Sequence, residues 1–330
     1  MTRDAVLQDF LSRNGWGSAL HMPLMADASL RTYDRLFLGN KTAMLMNSPL
    51  SEHPEQFVLI DEMLIRLGVK PPRILAQDLQ NGFILLEDFG DNTFTRLLNA
   101  GFDEYTLYQK GVDALITLQN NLTVVPTGVP AYTFQSMMFE VSLLPNWFGR
   151  YVVPGGLSDQ AVADFTAVWT PLIQQIEALP KSLCLLDCHA DNLMLTPDGA
   201  CGLLDFQDAR FGPCVYDLMS LLEDERRDVS ADVRNRLIDR YFAARPSLDA
   251  PRIRDMLPVV AMQRHTKVIG IFVRLAMRDK KERYLHLIPF VWQLTECHLN
   301  NPLFTDYKKW LDTYIPIAAR QTVFQLGEKA

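Results

Sequence analysis

The chain has 330 residues, 48% of them hydrophobic and 22% charged, with 32 basic against 39 acidic side chains and a net charge of -7. This is the composition of an ordinary globular protein with a substantial core, and the acidic balance argues against nonspecific nucleic-acid binding, which needs a basic surface. No apolar run approaches the roughly 18 residues of a membrane span, no signal-peptide core opens the chain, and five scattered Cys read as buried thiols in a reducing cytoplasm.

Residues 3–13 put Val6, Leu7, Phe10 and Leu11 on one helical face and stop at Gly15. From His21 to Asn47 the pattern becomes strand-like, with "SLRTYDRLFL" and "TAMLMN" flanking the turn signal "GNK". Ser51 is expected to cap a helix carrying Phe57, Ile60, Met63, Leu64 and Leu67, ended by Gly68. "PPRILAQ" and "GFILLED" read as two further strands joined around Asn81-Gly82. Residues 1–90 thus form a small mixed lobe in the order β-β-β-α-β-β. Beyond Gly90 the pattern is helical, with amphipathic stretches at 103–119, 158–179, 252–276, 283–299 and 303–319. Only "NLML" and "CGLL", joined by the turn "TPDG", interrupt residues 91–330 with strand-like runs. No long linker separates the two parts.

The stretch Cys184–Asp208, "CLLDCHADNLMLTPDGACGLLDFQD", sets five acids, one His and three Cys among apolar runs. These residues bind a metal, perform chemistry, or form solvated turns between buried strands. Asn192 opens the first strand of a hairpin and Asp205 closes the second, so folding back brings them together. A carboxylate beside an amide oxygen suits Mg²⁺, which takes few protein ligands and completes its shell with water and phosphate oxygens. Asp187, in the loop five positions before Asn192, is placed to orient an attacking hydroxyl and accept its proton. That combination is a phosphoryl-transfer set. The zinc alternative, Cys184, Cys188, His189 and Cys201, lacks a second matching ligand pair, which leaves core thiols and a loop His.

D-x-x-x-x-N, a short hairpin and D-[FY]-x, behind a β-rich lobe and ahead of helices, resembles the catalytic core of the kinase-like fold. "LDCHADNLM…GLLDFQDARFGPCVYDLMSLL" is similar to the aminoglycoside phosphotransferase and choline kinase superfamily. Within it, the chain looks closest to the bacterial subgroup containing the anomeric N-acetylmuramate/N-acetylglucosamine kinases of cell-wall recycling. "ADASLRTY" resembles that subgroup's phosphate loop, "LLEDFGD" its lobe linker and "QRHTKVIGIFVRLAMRDKKERYL" its C-terminal helices. The resemblance implies a protein-kinase-like, two-lobed α+β fold. Its N-terminal nucleotide-binding lobe would span 1–90, its helical catalytic and substrate-binding lobe 91–330, with the active site in the cleft. It further implies a cytoplasmic, ATP-dependent phosphotransferase using Mg²⁺ and acting on a small-molecule alcohol, with no nucleic-acid, membrane or protein partner indicated. Asp187 becomes the catalytic base, and Asn192 and Asp205 the Mg²⁺ ligands. His189 and Asp217 support the catalytic loop, and Glu87 and Phe89 of the linker offer backbone groups to adenine.

Three departures from the superfamily stand out. Leu185 and Leu186 occupy positions where relatives carry His, or His and Arg. The loop after Met25 has no Gly, so phosphate contacts fall to Ser29 and nearby backbone. The strand "TAMLMN" has Met where a phosphate-binding Lys is expected, and Arg31 or Arg35, four apart on the preceding strand, is expected to replace it. Asp191 and Asp208 read as turn or solvated residues, with an extra role for Asp208 in substrate binding held open. The run Glu223–Asp228 reads as a solvated helix end bordering the acceptor site through Asp224. Arg264 and Lys267, three apart on an apolar helix, either bind an anionic group or are ion-paired. The acceptor implied is an amino sugar phosphorylated at its anomeric hydroxyl, with an aminoglycoside or other small alcohol as alternative. A catalytically silent nucleotide-binding scaffold is the reading from a different class, motivated by the missing Lys and the Gly-free loop.

Overall fold

Thr2 accepts a hydrogen bond from the Ala5 N–H and so opens helix α1, Arg3–Arg13, whose Phe10 and Leu11 are buried. The computed structural model describes residues 2–24 and 30–321, so Ser29 and the first part of the expected phosphate loop, residues 26–29, lie outside the described residues. Strands β1 (Leu20–Pro23), β2 (Thr32–Leu38) and β3 (Lys41–Asn47) follow as an antiparallel meander, with Leu38 paired to Lys41 across a two-residue turn. Gly39 makes that turn by adopting φ of 61°, which costs a residue without a Cβ little.

Helix α2 spans Pro54–Arg66 and starts later than the sequence suggests. Ser51 lies in a 3-10 turn, and His53 is the N-cap, because Pro54 has its φ pre-set for a first helical position. Strands β4 (Ile74–Asp78) and β5 (Phe83–Leu86) complete a five-stranded sheet in the order β1-β2-β3-β5-β4. Phe10 and Leu11 of α1 pack with Leu36, Ala43, Leu45, Phe83 and Leu85 of that sheet.

The chain continues through α3 (Phe94–Asn99), α4 (Glu104–Asn121), α5 (Phe134–Leu143), a π-helical stretch at Leu144–Gly149, α6 (Arg150–Val152) and α7 (Asp159–Glu177). Four short strands follow, β6 (Lys181–Cys184), β7 (Leu193–Leu195), β8 (Cys201–Leu203) and β9 (Arg210–Pro213). β7 pairs with β8 as expected, with Gly199 in the turn at φ 80°. The β6–β9 pair was not anticipated: its four-residue strands are too short to show a period. The remaining helices are α8 (Tyr216–Leu222), α9 (Ala231–Ala243), the 30-residue α10 (Ala250–Asp279), α11 (Ile288–His298), α12 (Thr305–Tyr314) and α13 (Ile317–Arg320). Prolines divide the two expected C-terminal helices. Pro289 falls in the first turn of α11, behind a 3-10 segment at Glu282–Leu287, and Pro316 separates α12 from α13.

Two compact units result, Met1–Val129 with Leu185–Ala209, and Pro130–Cys184 with Arg210–Ala330. These compact units are drawn differently from the lobes of residues 1–90 and 91–330. Leu195 N–H bonds Asn92 O and Leu203 N–H bonds Lys70 O, each at 2.9 Å, so the β7–β8 hairpin belongs with the sheet-bearing unit. In the other unit α10 packs against α5, the π-helical stretch, α8 and α11. Among the described residues, no helix is long and apolar enough to cross a membrane.

Candidate active site

The hairpin builds the site. Leu193 pairs with Leu203, and Leu204 N–H donates to Asn192 O at 2.9 Å, which leaves Asp205 one residue beyond the position opposite Asn192. Two residues here hold left-handed backbone without being glycine, Leu186 at φ 71° and Asp205 at φ 55°. Such strain persists only where the surroundings over-determine it, and it gathers at functional sites. Here it brackets the reactive loop, immediately before Asp187 and at Asp205 itself.

Asp187 is exposed and Asn192 half-buried. The Asn192 Nδ2 group donates to Asp187 O at 2.9 Å and faces His189 Nε2 at 3.2 Å. With both amide hydrogens engaged, the amide is oriented and its oxygen is the atom presented as a ligand. His189 is buried beside this turn. Gln207 Nε2 bridges the two neighbouring acids, donating to Asp205 Oδ1 at 2.8 Å and Asp208 Oδ2 at 3.2 Å. Sequence reasoning missed Gln207, although its place between two acids in "DFQD" was a signal.

Asp205 reaches solvent yet is densely surrounded by protein at longer range. Desolvation, then repulsion from Asp187 and Asp208, pushes its carboxyl up to about 6 against the hydrogen bond from Gln207 and the charge of Arg31. Three carboxylates held this close favour a cation among them. An amide oxygen and a carboxylate are the hard donors that Mg²⁺ takes, so the residues present fit that ion.

The two arginines separate cleanly. Arg35 is buried, with Nε 2.9 Å from Asp88, Nη1 2.8 Å from Asp91 and Nη2 donating to Gly90 O at 2.7 Å. It is committed to tying β2 to the linker. Arg31, also buried, donates to Glu52 O at 2.9 Å and lies 3.5 Å from the Glu52 carboxylate, while its charge is felt at Asp205. Tyr33, which sequence reasoning passed over, is pushed far up by burial and by the charge of Asp205. Glu87 pairs with Arg73 at 3.0 Å, and Phe89 is buried against Gly202, where an added Cβ would meet its ring at 2.7 Å.

In the second unit, Asp217 is buried in the first turn of α8 but is not its cap; Val215 holds that place. Asp217 lies close enough to Cys184, at the end of β6, that burial and its charge together push the Cys184 thiol well up. The first half of the run at 223–228 is not solvated, although Asp228 at its end is exposed. Glu223, Asp224 and Glu225 are 5%, 0% and 2% exposed, and bases from other elements pair with two of them inside the fold, Arg234 with Glu223 and Arg264 with Glu225. Asp224 accepts from Arg226 N–H at 2.9 Å in a turn. Arg264 donates to Glu225 at 2.9 and 3.2 Å, and Lys267 lies 3.1 Å from Glu140 and 3.3 Å from Tyr216 OH. Of their two readings, ion pairing is the one observed. Cys184, Cys188, Cys201 and Cys214 are buried, whereas Cys297 is exposed, contrary to the expectation of buried thiols throughout. Burial pushes Cys201 up to about 12, and no cysteine joins a metal-ligating cluster among the described residues.

Residues 23–251 match the Phosphotransferase enzyme family. The chain belongs to that family. It is 32% identical to the N-acetylmuramate/N-acetylglucosamine kinase of Caulobacter vibrioides, covering 97% of this chain and 98% of the relative. The corresponding kinase of Pseudomonas aeruginosa is 34% identical, over 89% and 88%. Among solved structures, a choline/ethanolamine kinase family protein from Mesorhizobium loti superposes with a TM-score of 0.64 at 14% identity, covering 97% and 99%. Aminoglycoside phosphotransferase APH(4)-Ia gives 0.61 at 13%, covering 91% and 99%. These neighbours share the protein-kinase-like fold, and this phosphotransferase has that fold's five-stranded sheet and predominantly helical remainder.

Proposed function

We propose that this phosphotransferase moves the γ-phosphate of Mg·ATP to the anomeric hydroxyl of an amino sugar of the N-acetylmuramate/N-acetylglucosamine type, in the cytoplasm. The observation carrying the chemistry is the Asn192 amide, whose nitrogen is held by Asp187 O and His189, at the mouth of a hairpin that returns the chain to Asp205. Asn192 and Asp205 would hold Mg²⁺, which when bound neutralises charge on the phosphate oxygens. Asp187, exposed in the same loop, orients the acceptor hydroxyl and takes its proton as the oxygen attacks phosphorus. Arg31 replaces the missing strand Lys on the phosphates, with Glu52 as the acid that positions it. Backbone groups at Glu87 and Phe89 receive adenine. The amino-sugar acceptor is supported by the two kinase relatives, each aligned over nearly all of its length.

The test is ADP release across N-acetylmuramate, N-acetylglucosamine, aminoglycosides and choline, with Asp187→Asn as the blank. Turnover confined to the N-acetylated sugars, with the product labile as a 1-phosphate, is expected. Release of ADP only with aminoglycosides or choline would overturn the acceptor, and no release above the blank would return the chain to the silent-scaffold reading.

A further inference from the structure

Three side chains without a part in phosphoryl transfer converge in the second unit. Glu223 follows α8, His265 lies midway along α10, and His298 is the last residue of α11. Glu223 Oε2 is 2.7 Å from His298 Nε2 and 3.6 Å from His265 Nε2. The two imidazoles stack with centroids 6.0 Å apart and planes 26° from parallel. One ligand atom from each residue lies within 4.8 Å of the other two. His265 is 0% exposed, and neither of its ring nitrogens has a hydrogen-bond partner. A buried imidazole left unbonded is costly, and here one of its idle nitrogens faces a carboxylate and a second imidazole.

We propose that Glu223, His265 and His298 form a zinc site that clamps α8, α10 and α11 together. Two imidazoles and one carboxylate are a donor set that Zn²⁺ accepts, with water in the fourth position, while Mg²⁺ and Ca²⁺ prefer oxygen alone. Bonds of about 2.0–2.2 Å place tetrahedral donors about 3.3 Å apart. The His265–Glu223 separation already approaches that value, and the His298–Glu223 pair needs to open by about half an ångström. Arg234, 3.7 Å from Glu223 Oε1, engages the oxygen opposite the one facing the imidazoles. The His298 side chain is 18% exposed, which supplies a route for the ion and for its water.

The experiment uses the full chain, stripped with chelator and reloaded with Zn²⁺ in millimolar Mg²⁺ so that the oxygen-donor site is saturated. Cys297→Ser is included because that exposed thiol adjoins His298. The wild type and Cys297→Ser should each retain one equivalent of zinc through gel filtration and melt at higher temperature for it. His265→Asn and His298→Gln should lose at least nine-tenths of the retained metal and the rise in Tm. Co²⁺ should give tetrahedral visible bands in the wild type that His298→Gln abolishes. If His265→Asn fails to fold, the partly exposed His298→Gln decides. Substoichiometric zinc in the wild type, or retention that follows Cys297 instead of His298, overturns the site.

Discussion

The side-chain amide of Asn192 donates to the main-chain carbonyl of Asp187 at 2.9 Å, so the residue proposed to ligate the metal also sets the backbone of the proposed catalytic base. Removing Asn192 therefore does two things. Asn192→Ala should lower kcat by about 10²–10⁴-fold and raise the Mg²⁺ concentration needed for half-maximal rate. Asp187→Asn keeps the Mg²⁺ ligands and should lower kcat by a similar factor with little change in the KM for ATP. A steady-state Mg²⁺ titration of both variants checks the distinction; equal Mg²⁺ requirements would count against the assigned roles.

Arg31 and Arg35 should part company on mutation. Arg31→Ala is expected to raise the KM for ATP by about tenfold or more, the loss of one charge-assisted phosphate contact. Arg35→Ala leaves Asp88, whose side chain is 5% exposed, without its cation, and should destabilise the fold by about 3–5 kcal/mol. Urea denaturation beside ATP kinetics separates them, and the assignment of Arg31 fails if Arg35→Ala alone raises the KM in a folded protein.

Asp61 on α2 is 1% exposed, and its Oδ1 has no hydrogen-bond partner. Burial, with the charge of Glu62 second, pushes its carboxyl up from 3.8 to about 7. The folded chain thus binds this proton more tightly than the unfolded chain. Its contribution to stability is fully present below about pH 3.8 and is lost as pH rises through about 7, on the order of 2–4 kcal/mol in all. Asp61→Asn should flatten that decline and be the more stable protein at pH 8.5. Denaturation midpoints from pH 5 to 8.5 provide the comparison.

Gly270 lets α10 approach the end of α5. An added Cβ would stand 2.3 Å from the Leu143 carbonyl carbon and 2.5 Å from its oxygen, and backbone there cannot step aside as a side chain can. Gly270→Ala should cost about 3 kcal/mol or more, seen as a lowered Tm, despite the better helix propensity of Ala. A rise in Tm would mean that the two helices slide apart freely.

Much of the site was legible because its parts lie close in sequence. A turn such as Thr196-Pro-Asp-Gly199 fixes a hairpin from local torsions alone, and the hairpin in turn brings Asn192 and Asp205 together. The succession of strands along residues 1–90 and the helix of residues 3–13 were readable for the same reason, since alternation and helical period are local properties. Ser51 misled because a nearby Pro54 outranked it as a helix start. The 223–228 run misled because charge predicts solvent only where no partner waits inside.

What the chain determined by itself was its family and its fold class, and it nominated Asp187, Asn192 and Asp205 as the candidate site. Tertiary structure decided the matters that depend on distant partners. Arg35 is engaged by Asp91, 56 positions away, and Arg31 by Glu52, 21 positions away. Glu223 meets His298 across 75 positions, and Glu225 meets Arg264 across 39. A charge's partner, and with it the choice between solvent, ligand and ion pair, is set by which helices pack together. No local period encodes that.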